Sequence, residues 1–194
     1  VRHYGINPEN VYVVHNAVEQ DGYSGDRWHE IKKDNKIVLF LGRVTLQKGP
    51  DYFIYAAKKA LEFDSNIMFV IAGNGDMMGQ IIEKAAELGI AEKIIFTGFV
   101  SGKDVDRLYR MADLYVMPSV SEPFGITTLE SIKNGTPVLI SKQSGVSEVV
   151  NHCLKADFWD IDQIVNKMIS ALRHDSLHDC LVENSVPEVA RLRW

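Results

Sequence analysis

Short apolar runs without polar alternation recur along most of the chain, a pattern typical of strands buried on both faces of a sheet. Polar loops and segments with helical spacing separate these runs. A β-branched run at 11–14 predicts a short strand near the start. The longer series of predicted strands lies at 37–41, 67–72, 93–96, 114–117 and 137–140.

Apolar positions three and four residues apart predict helices between the strands. Pro50 suits the first turn of one helix, and Gly135 ends another. Asp76 and Asp160 are predicted N-caps, because their side chains can accept hydrogen bonds from the first backbone N–H groups of a helix. The predicted helices lie at 50–63, 77–87, 103–111, 129–134, 146–150 and 161–172.

Strands that alternate with helices indicate βαβ units, which place parallel strands in one sheet through right-handed crossovers. The predicted fold is therefore α/β, a Rossmann-like doubly wound parallel sheet. We expect residues 37–194 to form this single domain. Residues 1–36, which include a polar stretch with Gly22 and Gly25, are predicted to form a lead-in and loop.

Composition narrows the classes of function. The chain has 194 residues, 46% of them hydrophobic, which suits one globular domain. Its net charge of -5 argues against a nucleic-acid-binding surface. Cys153 and Cys180 make no disulfide framework, which favours a reducing cytoplasm. No apolar run approaches the roughly 20 residues that span a bilayer. The chain begins without Met, and we expect it to be a piece of a longer protein.

Ligands of doubly wound sheets bind beyond the carboxyl ends of the strands, so the loops there are the candidate site. One such loop contains Glu122, and Glu130 follows eight positions later with Gly125 between them. Pro123 biases Glu122 towards an extended conformation. A helix that begins near Gly125 presents unpaired N–H groups, which attract anions. Carboxylates accept hydrogen bonds from sugar hydroxyls, so this pattern predicts a ligand with both phosphate and sugar.

The loop after the 37–41 strand carries two cations, Arg43 and Lys48, between Gly42 and Gly49. A guanidinium binds two phosphate oxygens at once, and a lysine adds a point charge. The loop is not a P-loop, because Lys48 precedes its glycine. The alternative interpretation is a pair of solvated surface cations.

Two further loops leave alternatives open. The loop at 73–79 nearly matches the dinucleotide fingerprint, but it has one residue too many and lacks the acid expected after the next strand. NAD is therefore disfavoured. After the 93–96 strand, an exposed Phe99 could pack against a nucleobase while the backbone of Val100 bonds to the base edge. The alternative is that Phe99 belongs to the core.

Together these motifs resemble the C-terminal, donor-binding domain of retaining GT-B glycosyltransferases of family 4, the glycosyl transferases group 1, which include glycogen synthases. The resemblance covers about residues 10–175. In this family a Gly–Gly pair is common where this chain has Ser144 and Gly145. The motifs that carry the resemblance are Gly42 with Arg43, Lys48 with Gly49, 72–75, 98–100, the E-x7-E pair Glu122 and Glu130, and 134–138 followed by Gly145 and Glu148.

The resemblance implies a donor site for a UDP-, GDP- or ADP-sugar. Arg43 and Lys48 would hold the donor diphosphate and stabilise the departing nucleotide. Backbone amides around Gly125, Ile126 and Thr127 would hold sugar or phosphate. Such a site works mainly by electrostatic stabilisation, with no obligatory metal and no cofactor.

The same resemblance assigns the rest of the donor. Phe99 and Val100 would contact the base, Glu130 would bind the ribose hydroxyls, and Glu122 would bind hydroxyls of the transferred hexose. The family has a further, N-terminal domain that binds the acceptor, a sugar, lipid or glycan, so the present chain would be inactive alone. The whole protein would be cytoplasmic, or peripheral at the membrane through that missing domain.

Two alternative functions remain at this point. One is a sugar-nucleotide epimerase of the same two-domain architecture, in which the E-x7-E pair is unusual. The other is a non-catalytic nucleotide-binding or interaction domain with a vestigial site. The intact set of Arg43, Lys48, Glu122 and Glu130 disfavours the second alternative.

Overall fold

A six-stranded parallel sheet forms the centre of the computed structural model, which describes residue 32 and residues 34–192. The strand order is β3-β2-β1-β4-β5-β6, with every neighbouring pair parallel. The strands are β1 (Lys36–Leu41), β2 (Ile67–Ala72), β3 (Ile94–Gly98), β4 (Leu114–Met117), β5 (Val138–Ser141) and β6 (Leu154–Ala156).

Within residues 34–192, six α-helices cover the sheet, and short 3-10 turns at Leu46–Lys48, Ala91–Lys93 and Gly145–Glu148 lie in its connections. The helices are α1 (Pro50–Phe63), α2 (Met78–Glu87), α3 (Lys103–Met111), α4 (Ile126–Lys133), α5 (Ile161–Arg173) and α6 (Asp175–Arg191).

Two apolar layers, one on each face of the sheet, make up the core. Along β1, Val38 and Phe40 point to the layer with α1, α2 and α5, whereas Ile37 and Leu39 point to the layer with α3, α4 and α6. Successive strand residues face opposite sides, so a strand covered on both sides must be apolar throughout. The predicted α/β doubly wound parallel sheet is confirmed.

The strand order reverses between β1 and β4. From β1 the chain first builds outward through β2 and β3, and then returns to add β4, β5 and β6 on the other side. The helices that follow β1 and β4, α1 and α4, lie on opposite faces of the sheet. In folds of this kind the ligand crevice lies at the carboxyl edge, where the strand order reverses. This topological switch point is where a ligand site is expected.

Several local predictions differ from the structure. Helix α4 begins at Ile126, in agreement with the predicted N-terminus near Gly125, and so extends three residues ahead of the predicted 129–134 segment. Gly125 turns the chain into the helix with a left-handed φ of 102°. Asp160 is the N-cap of α5 as predicted, but Met77 rather than Asp76 precedes α2. The sequence pattern missed β6, a three-residue edge strand.

The remaining predictions concern residues near the start of the chain. The predicted strand at 11–14 lies outside the described residues. The division into a lead-in of residues 1–36 and a domain of residues 37–194 stays a prediction, although β1 begins at Lys36, next to the predicted boundary.

Asp113 fixes β1 to β4 at the amino edge of the sheet, opposite the crevice. Its carboxylate accepts a hydrogen bond of 2.8 Å from the Ile37 N–H, and its own N–H donates to the Ile37 carbonyl, also at 2.8 Å. Lys32 and Lys36 lie 3.5 and 3.9 Å from the other carboxylate oxygen. The residue is 9% exposed, so these bonds are largely shielded from water.

We expect Asp113→Ala to lower the free energy of unfolding by about 1–3 kcal/mol, because the buried Ile37 N–H loses its acceptor. Urea unfolding of the domain measures the change. Asp64→Ala is the matched control, since Asp64 also accepts a backbone N–H, that of Asn66, but in an exposed turn. Equal losses for the two variants would contradict the assigned role of Asp113.

Candidate functional site

The loops after β1 and β4 are packed backbone against backbone at the switch point. Gly49 adopts a φ of 65°, and a Cβ atom at this position would lie 2.2 Å from the Pro118 carbonyl oxygen. The Val120 N–H donates to the Gln47 carbonyl at 3.0 Å, which joins the loops again. Only glycine combines this backbone conformation with so close an approach.

Lys48 and Glu122 form an ion pair across these loops. Their side chains are 18% and 9% exposed, so water screens the pair less than it screens a surface pair. The other carboxylate oxygen of Glu122 lies 3.4 Å from the Phe124 N–H, which donates to it. The sequence assigned Lys48 and Glu122 to different parts of a ligand, and their direct contact was not predicted.

The loop after β5 holds the backbone around Glu122 from the other side. The Gly145 N–H donates to the Glu122 carbonyl at 3.0 Å, and the Val146 N–H donates to that of Phe124. A Cβ atom on Gly145 would lie 2.1 Å from the Pro123 carbonyl oxygen. In the sequence Gly145 stood out only as part of the family motif, and its close approach to Pro123 was not predicted.

Helix α4 points its N-terminus at this cluster. Its N-cap is Gly125, which has no side chain to accept from the first N–H groups. The Thr128 N–H bonds to the Gly125 carbonyl at 3.0 Å, so the backbone amides of Ile126 and Thr127 begin the helix. Helix N-termini carry partial positive charge, which makes this end suitable for an anion.

Tyr115, on β4, connects the start of α4 to the end of β1. Its hydroxyl donates to the Leu41 carbonyl at 3.2 Å and lies 2.8 Å from the Thr127 hydroxyl. Burial raises the pKa of Tyr115; the bond to Thr127 opposes this rise, and the charges of Glu122 and Glu130 add to it. Tyr115 therefore stays protonated, and sequence reasoning did not identify it.

A pocket of about 190 Å³ opens at the carboxyl ends of β1, β2 and β3. Arg43 and Phe99 are exposed there, Phe99 to 80%, which excludes a core position for its ring. The residues that line the pocket are Leu41, Gly42, Arg43, Ala72, Gly73, Asn74, Phe99 and Val100. The structure thus brings one predicted cation together with the predicted base-contacting residues.

Glu130 lies on α4, more than one turn beyond Gly125. Its carboxylate is half-buried and accepts a hydrogen bond of 3.1 Å from the hydroxyl of Tyr109, on α3. Burial raises the pKa of Glu130; the Tyr109 bond lowers it, Asp106 raises it further, and Lys133 lowers it. The Glu130 carboxylate thus accepts from a neutral hydroxyl, whereas the Glu122 carboxylate pairs with the Lys48 cation.

The predicted residues therefore form three groups. Lys48, Glu122 and Gly125 meet at the switch point; Arg43, Phe99 and Val100 share the pocket; and Glu130 lies beside Tyr109. Tyr109 and Tyr115 pack edge to face with ring centroids 5.6 Å apart, which connects the surroundings of Glu130 to those of Thr127.

Two absences concern only the part of the chain that the structure describes. There, no three His, Cys, Asp or Glu side chains gather in a way that could hold a metal ion. No helix in that part is both long and apolar enough to cross a membrane. The predictions of a metal-independent reaction and of a UDP-, GDP- or ADP-sugar donor stay predictions.

The family model of glycosyl transferases group 1 matches residues 26–186 of this chain. An uncharacterized glycosyltransferase of Methanocaldococcus jannaschii is 41% identical over 148 residues, which are 76% of this chain and 37% of that protein. This chain spans about two fifths of the length of the curated relatives that it matches, namely 37%, 43% and 40% of three of them.

Solved structures of glycosyltransferases share the fold. HepE of Anabaena, in complex with UDP and glucose, has a TM-score of 0.85 at 19% identity and covers 98% of this chain and 55% of its own. The C-terminal domain of a glycosyl transferase group 1 protein, LpcC of Francisella tularensis, has a TM-score of 0.76 at 23% identity. That match covers 87% of this chain and 94% of the LpcC domain.

Proposed function

Because the chain belongs to the glycosyl transferases group 1 family, we propose that it is the donor-binding part of a retaining glycosyltransferase. The whole protein would transfer a hexose from a nucleoside diphosphate sugar to an acceptor. One observation carries the proposal: Lys48 on the β1 loop and Glu122 on the β4 loop meet at the topological switch point, beside the N-terminus of α4. A cation, a carboxylate and helix amides at one point suit a ligand with both phosphate and sugar.

The diphosphate is assigned to Arg43, Lys48 and the first amides of α4. Arg43 is exposed at the mouth of the pocket, so its guanidinium can bind two phosphate oxygens without giving up a buried partner. The amides of Ile126 and Thr127 add the positive end of a helix dipole. As the bond to the sugar breaks, negative charge grows on the departing diphosphate, and these groups stabilise it.

The nucleoside is assigned to the pocket at the ends of β1, β2 and β3. The exposed ring of Phe99 offers an apolar face to a base, and the backbone of Val100 offers hydrogen-bonding groups to its edge. Glu130 is assigned to the ribose, because an ionised carboxylate accepts hydrogen bonds from neighbouring hydroxyls.

The transferred hexose is assigned to Glu122. In this structure Lys48 occupies one oxygen of its carboxylate. A donor offers Lys48 phosphate oxygens and offers Glu122 sugar hydroxyls, so each member of the ion pair can exchange its partner for part of the ligand. The exchange lets one ligand satisfy two largely buried charges that otherwise neutralise each other.

The acceptor site is assigned to the part of the protein beyond this chain. The match to about two fifths of each curated relative supports this division. The donor part alone would bind nucleotide without turnover. Retention of anomeric configuration is what the family resemblance implies, and NMR of the product tests it, because an inverted product excludes a retaining enzyme.

We expect Arg43→Ala to weaken the binding of nucleoside diphosphate by about 10- to 100-fold, because a charge-assisted bidentate contact is lost. Calorimetry on the intact protein measures this with whichever of UDP, GDP and ADP raises the melting temperature of the wild type most.

Lys59→Ala is the matched control for Arg43. Lys59 is an exposed cation on α1 that pairs with Asp162, away from the pocket. Removing it changes the net charge by the same amount, so its variant should bind like the wild type. Identical affinities for wild type and Arg43→Ala would remove Arg43 from the phosphate site.

We expect Glu122→Gln to separate binding from turnover. The change keeps the shape of the side chain but frees Lys48, so affinity for the nucleoside diphosphate should stay equal or rise. Hexose transfer should fall by at least about 100-fold, because the sugar loses a charged acceptor at the reacting end. A transfer assay beside calorimetry gives both numbers. Near-normal turnover in this variant would exclude Glu122 from the mechanism.

A further inference from the structure

The buried hydroxyl of Tyr109 reaches a site residue from within the core. Tyr109 is fully buried on α3, and its hydroxyl donates to Oε2 of Glu130, on α4, at 3.1 Å. We propose that Tyr109 is a positioning residue that orients the Glu130 carboxylate, so that its other oxygen, Oε1, accepts from the ribose. This inference rests on the proposed assignment of Glu130 to the ribose.

The hydroxyl of Tyr109 is not needed to hold α3 against α4, because other bonds join them. The side chain of Asn134 donates to Asp106 at 2.8 Å and accepts from Arg110 at 2.9 Å. The Thr136 hydroxyl donates to the backbone carbonyl of Tyr109. None of these bonds involves the tyrosine hydroxyl, so we infer that its contact with Glu130 serves the carboxylate rather than the helix pair.

The two acids of the site differ in how the protein uses their oxygens. Lys48 and the Phe124 N–H each bond one oxygen of Glu122. Within residues 34–192, Tyr109 is the one hydrogen-bond donor to the Glu130 carboxylate, and it donates to Oε2. Tyr109 therefore fixes the orientation of the carboxylate through Oε2, and Oε1 can accept from a ligand.

A fixed neighbour matters because a glutamate side chain has several rotatable bonds. Ordering such a side chain during binding costs conformational entropy, which weakens the complex. The ring of Tyr109 is fully buried and packs edge to face with the ring of Tyr115, with centroids 5.6 Å apart. The hydroxyl at its end is thus a rigid reference point, and the carboxylate is ordered before the ligand arrives.

The charges around Glu130 predict how ribose recognition should depend on pH. The groups that act on it are Tyr109 and Asp106 on α3, Lys133 on α4, and Tyr115 on β4. Burial raises the pKa of Glu130, and the Tyr109 bond opposes this rise. Burial also holds the pKa of Tyr109 well above its usual value, so the hydroxyl keeps its proton as a donor. Removing it should raise the pKa of Glu130 further.

The test compares Tyr109→Phe with Tyr115→Phe in the intact protein. Each variant removes one buried tyrosine hydroxyl from the same ring pair, but the Tyr115 hydroxyl bonds to Thr127 and Leu41 rather than to Glu130. Calorimetry measures binding of UDP, GDP or ADP, whichever the wild type prefers, and of its 2′-deoxy and 3′-deoxy counterparts. The readout is the ratio of ribonucleotide to deoxynucleotide affinity.

We expect Tyr109→Phe to lower this ratio by about 3- to 10-fold, the effect of one ordinary hydrogen bond, while the deoxynucleotide affinity stays unchanged. Tyr115→Phe should keep the wild-type ratio.

In the wild type the ratio should fall as pH drops through the pKa of Glu130, because a protonated carboxyl loses acceptors. In Tyr109→Phe this fall should begin at a higher pH. Protonation of the phosphates cancels in the ratio.

Glu130→Gln tests the assignment of Glu130 to the ribose separately from the positioning role of Tyr109. If it leaves the wild-type ratio unchanged, the assignment of Glu130 to the ribose fails. If Glu130→Gln removes the preference for the ribonucleotide but Tyr109→Phe keeps the wild-type ratio, only the positioning role of Tyr109 is overturned. Equal weakening of ribo- and deoxynucleotides by Tyr109→Phe also overturns it, since that is the effect of a structural role.

A measurement without any variant covers the case in which Tyr109→Phe does not fold. A crystal structure of the intact wild-type protein with the preferred nucleoside diphosphate should show one oxygen of Glu130 on the Tyr109 hydroxyl and the other on the ribose. A Tyr109 hydroxyl that has left Glu130 in this complex would overturn the proposal.

Discussion

Two strand-end loops can close on each other at the centre of the sheet because Gly49 carries no side chain. A Cβ atom there would lie 2.2 Å from the Pro118 carbonyl oxygen, and the same close approach recurs between Gly145 and Pro123. These contacts set the distance between the β1, β4 and β5 loops. The pairing of Lys48 with Glu122 depends on that distance, since the two residues lie on different loops. Backbone packing between the loops therefore determines the geometry of the candidate site, and the positions of its charged side chains depend on that packing.

The sheet could be predicted well from sequence because burial on both faces forces strands such as β1 and β2 to be apolar throughout. The predicted bounds of α1 and β2 agree with the structure, as does Asp160 as the N-cap of α5. The failures lie where pattern is weak. The edge strand β6 is too short to show a period. Asp76 was predicted as the N-cap of α2, but Met77 takes that position.

The site could be predicted only in part. Glycines, cations and acids on strand-end loops marked the residues, because ligands of this fold bind there. Contacts between distant residues are not visible in spacing, so the Lys48–Glu122 pair and the links from Tyr109 to Glu130 and Tyr115 to Thr127 were missed. Tyr109 and Tyr115 look like ordinary core aromatics in the sequence, and only their hydroxyl partners distinguish them. Whether these residues bind a donor stays a prediction.

Mapping the nucleotide on the intact protein tests the central claim most directly. A nucleoside diphosphate with a photoreactive base, chosen from the uridine, guanosine and adenosine series, would be crosslinked and located by mass spectrometry. We predict that the label attaches to the peptide around Phe99 and Val100, and that excess unlabelled nucleotide prevents it. A protectable label elsewhere, such as on α5 in the hollow beside Arg173 and His174, would contradict a nucleotide site at the carboxyl ends of β1, β2 and β3.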